Sequence, residues 1–258
     1  MNYVMQSWPV ELIPLIFFGL VLPSLLSGGF QPALVRQKVV EMSLPIGAIG
    51  AVIIMVQLLE NLSDPSHLTP ALIGLFAYMI LWGGFYFAAR LTKTEPLRAR
   101  TPFASHSILP VLAVLSMVVG WWTSAALTSP ISSYLCADGF LGFIIFLGGL
   151  TLLSRLRNQQ LDVMAMAKLS VQAGCLTMLT GFGWMNMNLD DPSRIGPAMA
   201  MALLGGVYSL LFHQILILLS PLSPQIHFKK PGAGMIYGYL FHVAFLAANW
   251  VLLFALLD

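Results

Sequence analysis

Carboxylates, imidazoles and hydroxyls are the groups that could move or bind an ion, and several carboxylates here gather at two nearly identical turns. Asn61-Leu-Ser-Asp-Pro-Ser-His-Leu-Thr-Pro-Ala-Leu72 matches Asn188-Leu-Asp-Asp-Pro-Ser-Arg-Ile-Gly-Pro-Ala-Met199, 127 residues further on. Asp64, Asp190 and Asp191 could form the outer mouth of an ion path. They could equally cap helices that begin with proline, where the missing N–H costs nothing. Pro70 and Pro197 fall in the first turn or so of each outgoing helix, where they would shape it. Glu60 sits near the outer end of an apolar segment, with Gln57 three residues earlier on the same face; an interfacial Glu that reaches water is the plainer reading. None of the ten acidic residues is expected mid-span, so the chain alone should lack a carboxylate relay.

Two imidazoles and two hydroxyls complete the set. His213 and His242 fall about 9 Å and about 12 Å from the inner ends of two successive apolar segments, at 1.5 Å per residue. As an intramembrane pair they could relay a proton, though hydrogen bonds to neighbouring helices would account for both. They are too few for zinc, which takes about three or four protein ligands. Gly174, Thr177 and Thr180 recur at intervals of three, with Gly181 nearby. Such a face reads either as tight helix packing or as an ion-path or partner-facing surface. HExxH, GxSxG, phosphate-loop and Cys/His cluster patterns are lacking, so no catalytic residue, metal or cofactor is expected. Cys136 falls in a loop and Cys175 in an apolar segment, which makes a disulfide improbable.

The elements that must position these groups are set by composition. Hydrophobic residues make up 58% of the 258 and charged ones 9%, with a mean hydropathy of +0.86. An ordinary soluble domain carries roughly 25% charged residues. Segments of about 20 apolar residues can cross a bilayer as helices, and eight are expected: Leu12–Phe30, Leu44–Leu62, Pro70–Ala89, Ile108–Leu127, Gly139–Leu153, Val171–Met187, Ile195–Leu219 and Met235–Leu257. Seven is the alternative count, if the first, interrupted by Pro14 and Pro23, does not span. Period-2 alternation is missing, which speaks against a β-barrel. No basic region precedes the first apolar run, so no cleaved signal peptide is expected. Eleven of the twelve basic residues, all but Arg194, fall in alternate loops. The positive-inside rule makes those loops cytoplasmic and puts both termini and both Asp-Pro-Ser turns outside. The basic loops suit anionic lipid headgroups rather than nucleic acid.

A shift of 127 carries the first four segments onto the last four: Gly47 falls on Gly174, Asn61 on Asn188, Asp64 on Asp191 and Pro70 on Pro197. The expected fold is all-α and polytopic, two four-helix repeats over 1–130 and 131–258. An even number of spans per unit makes the repeats parallel rather than inverted. Two hairpins that converged on one good turn are the alternative.

The run Asn188–Tyr208, preceded by spaced Gly174 and Gly181, resembles the third-to-fourth helix junction of the flagellar stator A-subunit family, which includes MotA and PomA and is related to TolQ and ExbB. The resemblance covers about 174–219 well, is weaker over Gly47–Ala89, and is only suggestive elsewhere. The family's long cytoplasmic domain has no counterpart in the short connections Gln31–Ser43 and Ser154–Ser170. Met178 stands where the family has a threonine, and Gly205 and Gly206 replace its paired threonines. The resemblance implies a subunit of an oligomeric complex in the bacterial inner membrane. That subunit would work with a single-span partner carrying an intramembrane Asp, in proton or sodium conduction or energy coupling. A self-contained small-solute transporter and a purely structural subunit are the alternatives.

Overall fold

Buried backbone N–H and C=O groups have to be paired, and among the described residues every regular element pairs them as a helix. The computed structural model describes residues 12–28, 30–60, 78, 82, 108–159, 161–188 and 190–220. Asp64, His242, Pro70, the expected span Met235–Leu257, and all but Tyr78 and Trp82 of Pro70–Ala89 lie outside the described residues.

The first apolar segment folds as α1 (Ile13–Ile16), one wide π-turn (Phe17–Val21) and α2 (Leu22–Ser27). Pro23 has no N–H for the Gly19 carbonyl and its ring crowds that group; the wider turn makes room, with Leu22 N–H donating to the Phe17 carbonyl. The segment ends at Ser27 rather than Phe30, because Phe30 takes a left-handed φ of 59° in the turn that follows. It is shorter than the about 20 residues a straight span needs.

α3 runs from Pro32 to Glu60. It begins well before the expected Leu44, and most of the anticipated loop Gln31–Ser43 is helix. The physical reason lies in side-chain spacing. Gln37 Nε2 donates to Glu41 Oε1 at 2.9 Å, and Lys38 Nζ lies 3.9 Å from Glu41 Oε2. Pairs three and four apart share one face of a helix and support it. Lys38, expected in a cytoplasmic loop, is consequently buried at 3% exposure.

α4 (Leu109–Thr128), a 3-10 turn (Ile131–Tyr134), α5 (Ala137–Leu156), α6 (Val163–Asn186) and α7 (Pro192–Leu219) follow. The anticipated connection Ser154–Ser170 contracts to a short turn in which Asn158 takes φ 53°. Asp162 caps α6, its carboxylate accepting from Ala165 N–H at 2.6 Å, which is why the helix starts before the expected Val171. Among the described residues five segments are long and apolar enough to cross a membrane: Leu34–Gln57, Leu109–Thr128, Ile131–Leu156, Val163–Asn186 and Arg194–Leu219.

α1–α4 lie in one compact unit, together with the end of α7 from Ile217; α5, α6 and the rest of α7 lie in a second. In the first, α4 crosses the N-terminal segment at Gly120, where a methyl would come within 2.7 Å of Gly19 N. Leu15 N–H, in a first helical turn with no in-helix acceptor, donates to the buried Ser124 hydroxyl at 2.9 Å. In the second, α6 and α7 are antiparallel: Gly181 meets Ala198 and Ala202, and His213 meets Ala167. α5 runs parallel to α7, with Phe140 against Tyr208 and Phe143 against Phe212. Phe143, Leu147 and Ala173 form the core there.

Candidate functional site

Thr177 is the expected ion-path residue whose surroundings are best defined. It is fully buried, and its Oγ1 donates back to the Ala173 carbonyl at 2.9 Å. Its methyl fills the space left by two glycines. A methyl on Gly142 would stand 3.1 Å from Thr177 Cγ2, and one on Gly205 would overlap it outright. The two glycines lie on α5 and α7, so Thr177 is the central knob of a three-helix junction.

Thr180 is exposed, its hydroxyl donating to the Leu176 carbonyl at 2.9 Å. Gly174, Thr177 and Gly181 are buried. A spacing of three slips about 60° per step on a helix of 3.6 residues per turn, so Thr180 rotates out of the face that holds Gly174. Gly181 marks the closest approach of α6 and α7, since a methyl there would be 2.6 Å from Ala202 N and 2.8 Å from the Ala198 carbonyl. Only glycine permits backbones so near.

At the opposite end of this hairpin two side chains converge on one carbonyl. His213 Nδ1 lies 2.7 Å from the Ala167 oxygen, and Ser170 Oγ donates to the same oxygen at 2.8 Å. A carbonyl only accepts, so Nδ1 carries the proton. The expected partner His242 lies outside the described residues.

The Asp-Pro-Ser turn of the second unit is solvated. Asp191 immediately precedes Pro192, the first residue of α7, and its Oδ2 accepts from Arg194 Nε at 3.1 Å with both side chains exposed. Asp190 and Pro197 are exposed too. Glu60 is the last residue of α3.

In the first unit two residues that lie 127 positions before Thr177 and Gly205 are also in contact. Gly50 stands where Thr177 does, and Tyr78 where Gly205 does; a methyl on Gly50 would overlap the Tyr78 hydroxyl. Tyr78 OH donates to the Ile46 carbonyl at 3.3 Å, the position equivalent to Ala173. In each pair one residue is a glycine and the other carries a hydroxyl, which donates to the carbonyl four residues before Gly50 or Thr177. Ser43 and Ser170, both fully buried, make matching bonds to the Val40 and Ala167 carbonyls.

Sequence reasoning passed over one ionisable cluster. Lys38 Nζ donates to the Ile217 carbonyl at 2.6 Å while facing Glu41, itself 27% exposed. The signal that could have found it was the Gln37/Lys38/Glu41 spacing ahead of an apolar run. Comparison with protein-family models, with curated proteins and with solved structures finds no match to this chain.

Proposed function

We propose that the chain is a multi-pass helical protein of the bacterial inner membrane, built as two parallel four-helix repeats. In this reading it is a MotA/TolQ/ExbB-like channel or scaffold subunit that works beside a single-span partner. The observation that carries this is the α6–α7 hairpin: the motif-bearing turn joins two antiparallel apolar helices that cross at Gly181. Matched contacts at positions 127 apart support the duplication. Large exposed apolar side chains on α4 and α5, such as Leu115, Ile145 and Leu152, suit a hydrocarbon surrounding far better than water.

Affinity purification from the native membrane in mild detergent, with mass spectrometry of what accompanies the chain, tests it. A stoichiometric single-span protein with an intramembrane Asp is the expected result. A chain that purifies without a partner would overturn the stator-like model and turn attention to transport by the chain alone. Burial of Thr177 between two glycines favours the scaffold form at that face. Thr177→Val plus Thr180→Val, assayed for ion flux in liposomes containing the partner, separates the two forms. Unchanged flux would remove these hydroxyls from the ion path.

A further inference from the structure

We propose that the exposed face of α5 seats an anionic phospholipid, its phosphate on Arg155 and Arg157 and an acyl chain over Gly148 and Gly149. The proposal rests on the membrane reading above. Leu141, Ile145, Gly148, Leu152 and Arg155 follow one another at steps of four and three, so they share one face of α5. Leu141, Ile145 and Leu152 are each more than half exposed, and both arginines are exposed as well. The row of large side chains is interrupted at its middle. A methyl on Gly148 or Gly149 would meet nothing within 4 Å, so no described neighbour calls for glycine there. Glycine is the costlier residue inside a helix. What the two glycines leave is a dip between Ile145 and Leu152 that an acyl chain can fill.

Charge decides the occupant. Arg155 stands in the last turn of α5 and Arg157 just beyond it. Neither guanidinium is paired with a carboxylate among the described residues. Asp162, the acid of the same connection, caps α6 by accepting from Ala165 N–H at 2.6 Å. A cation in the last turn also suits the carbonyl end of a helix. That role could be filled from any side of α5, whereas Arg155 stands at the foot of the apolar row. Guanidinium groups offer paired donors that match phosphate oxygens, and a lipid phosphodiester brings the apolar chains that would cover the row. A membrane-spanning peptide would bring its own basic residues to this side by the positive-inside rule and repel the pair. α4 is the contrast: its exposed row, with Leu115 and Trp122, has no charged residue from Leu109 to Thr128, and its one glycine, Gly120, is packed on Gly19. Positions 127 before the two glycines and two arginines hold Val21, Leu22, Gly28 and Phe30, so neither the dip nor the cations recur in the first unit.

Two photoreactive probes read the site directly: phosphatidylglycerol and phosphatidylcholine with the same diazirine-bearing acyl chain. Each is added in trace to phosphatidylcholine vesicles holding the full chain. The vesicles are floated on a density gradient and irradiated, and adducts are located by peptide mass spectrometry. Label between Leu141 and Leu152 that is stronger with the phosphatidylglycerol probe, and displaced by excess unlabelled phosphatidylglycerol, is the expected result. The wild-type chain decides this without a variant. Arg155→Gln and Arg157→Gln should each lower the phosphatidylglycerol excess about fivefold, whereas Arg155→Lys and Arg157→Lys should keep most of it. Gly148→Leu with Gly149→Leu, which fills the dip, should reduce label on α5 with the arginines intact. A floated chain whose α5 is unlabelled, is labelled equally by both probes, or keeps its phosphatidylglycerol excess in Arg155→Gln/Arg157→Gln overturns the proposal and leaves the membrane reading intact. A chain that fails to float with the vesicles overturns the membrane reading, and the proposal falls with it.

Discussion

At the scale of single residues, Thr177 gives the sharpest expectation. Its hydroxyl is satisfied on its own helix, so what neighbouring helices feel is its methyl. Gly205→Ala would push a new methyl into Thr177 Cγ2, and overpacking of this kind costs about 1–3 kcal/mol. Thr177→Ser removes that methyl and keeps the hydroxyl, so the double variant Gly205→Ala/Thr177→Ser should regain most of the loss. Thermal unfolding in detergent measures both. Equal instability of single and double variants would mean that the junction is not where the strain arises. Lys38 invites a parallel experiment. Lys38→Met leaves the buried Ile217 carbonyl without its donor and the part-exposed Glu41 without its cation; an unsatisfied buried acceptor costs about 1–3 kcal/mol, so the variant should be destabilised by about that much. Glu41→Gln added to it should recover part of the loss.

At the scale of elements, the α6–α7 crossing depends on backbone rather than side-chain contact. A methyl on Gly181 would meet Ala202 N, Ala202 Cα and the Ala198 carbonyl, none of which can rotate away. Gly181→Ala should therefore destabilise more than Gly205→Ala, and no single substitution at Ala198 or Ala202 should rescue it. Rescue by Ala202→Gly would show that a side chain, not the backbone, sets the spacing. The sequence made the apolar cores of these helices legible, because long runs without charge have few alternatives to burial. Their ends were less legible. Lys38 and Glu41 read as loop residues until their mutual spacing and the Ile217 carbonyl show how a charged turn stays inside a helix. α6 begins early because Asp162 caps it, a local bond that hydropathy does not register. The Gly174/Thr177/Thr180 face failed in part for a geometric reason: a period of three drifts against 3.6, which leaves Thr180 exposed. Nothing in the sequence alone pairs Thr177 with Gly142 and Gly205, since those contacts join three separate helices.

For the whole molecule, the proposed duplication makes a demand that no single helix makes. If the two units descend from one hairpin, equivalent positions should tolerate an exchange of their solutions. Gly50 and Tyr78 fill the crossing in the first unit with the large residue on the partner helix; Thr177 and Gly205 fill it in the second with the larger residue on the other side. Gly50→Thr alone sets a branched side chain against the Tyr78 ring and should be poorly tolerated. Tyr78→Gly alone removes a fully packed aromatic, a loss of about 3–5 kcal/mol by analogy with other large-to-small changes. The pair Gly50→Thr/Tyr78→Gly copies the second unit and restores an acceptable fit, with the new threonine hydroxyl able to reach the Ile46 carbonyl that Tyr78 now serves. The double variant should be more stable than Gly50→Thr and at least as stable as Tyr78→Gly. Coupling of about 0.5–3 kcal/mol between the two sites is the expected size for residues in contact. Strictly additive losses in thermal unfolding would mean that the two crossings share only a residue spacing, and convergence on a common turn would then be the better account of the repeat.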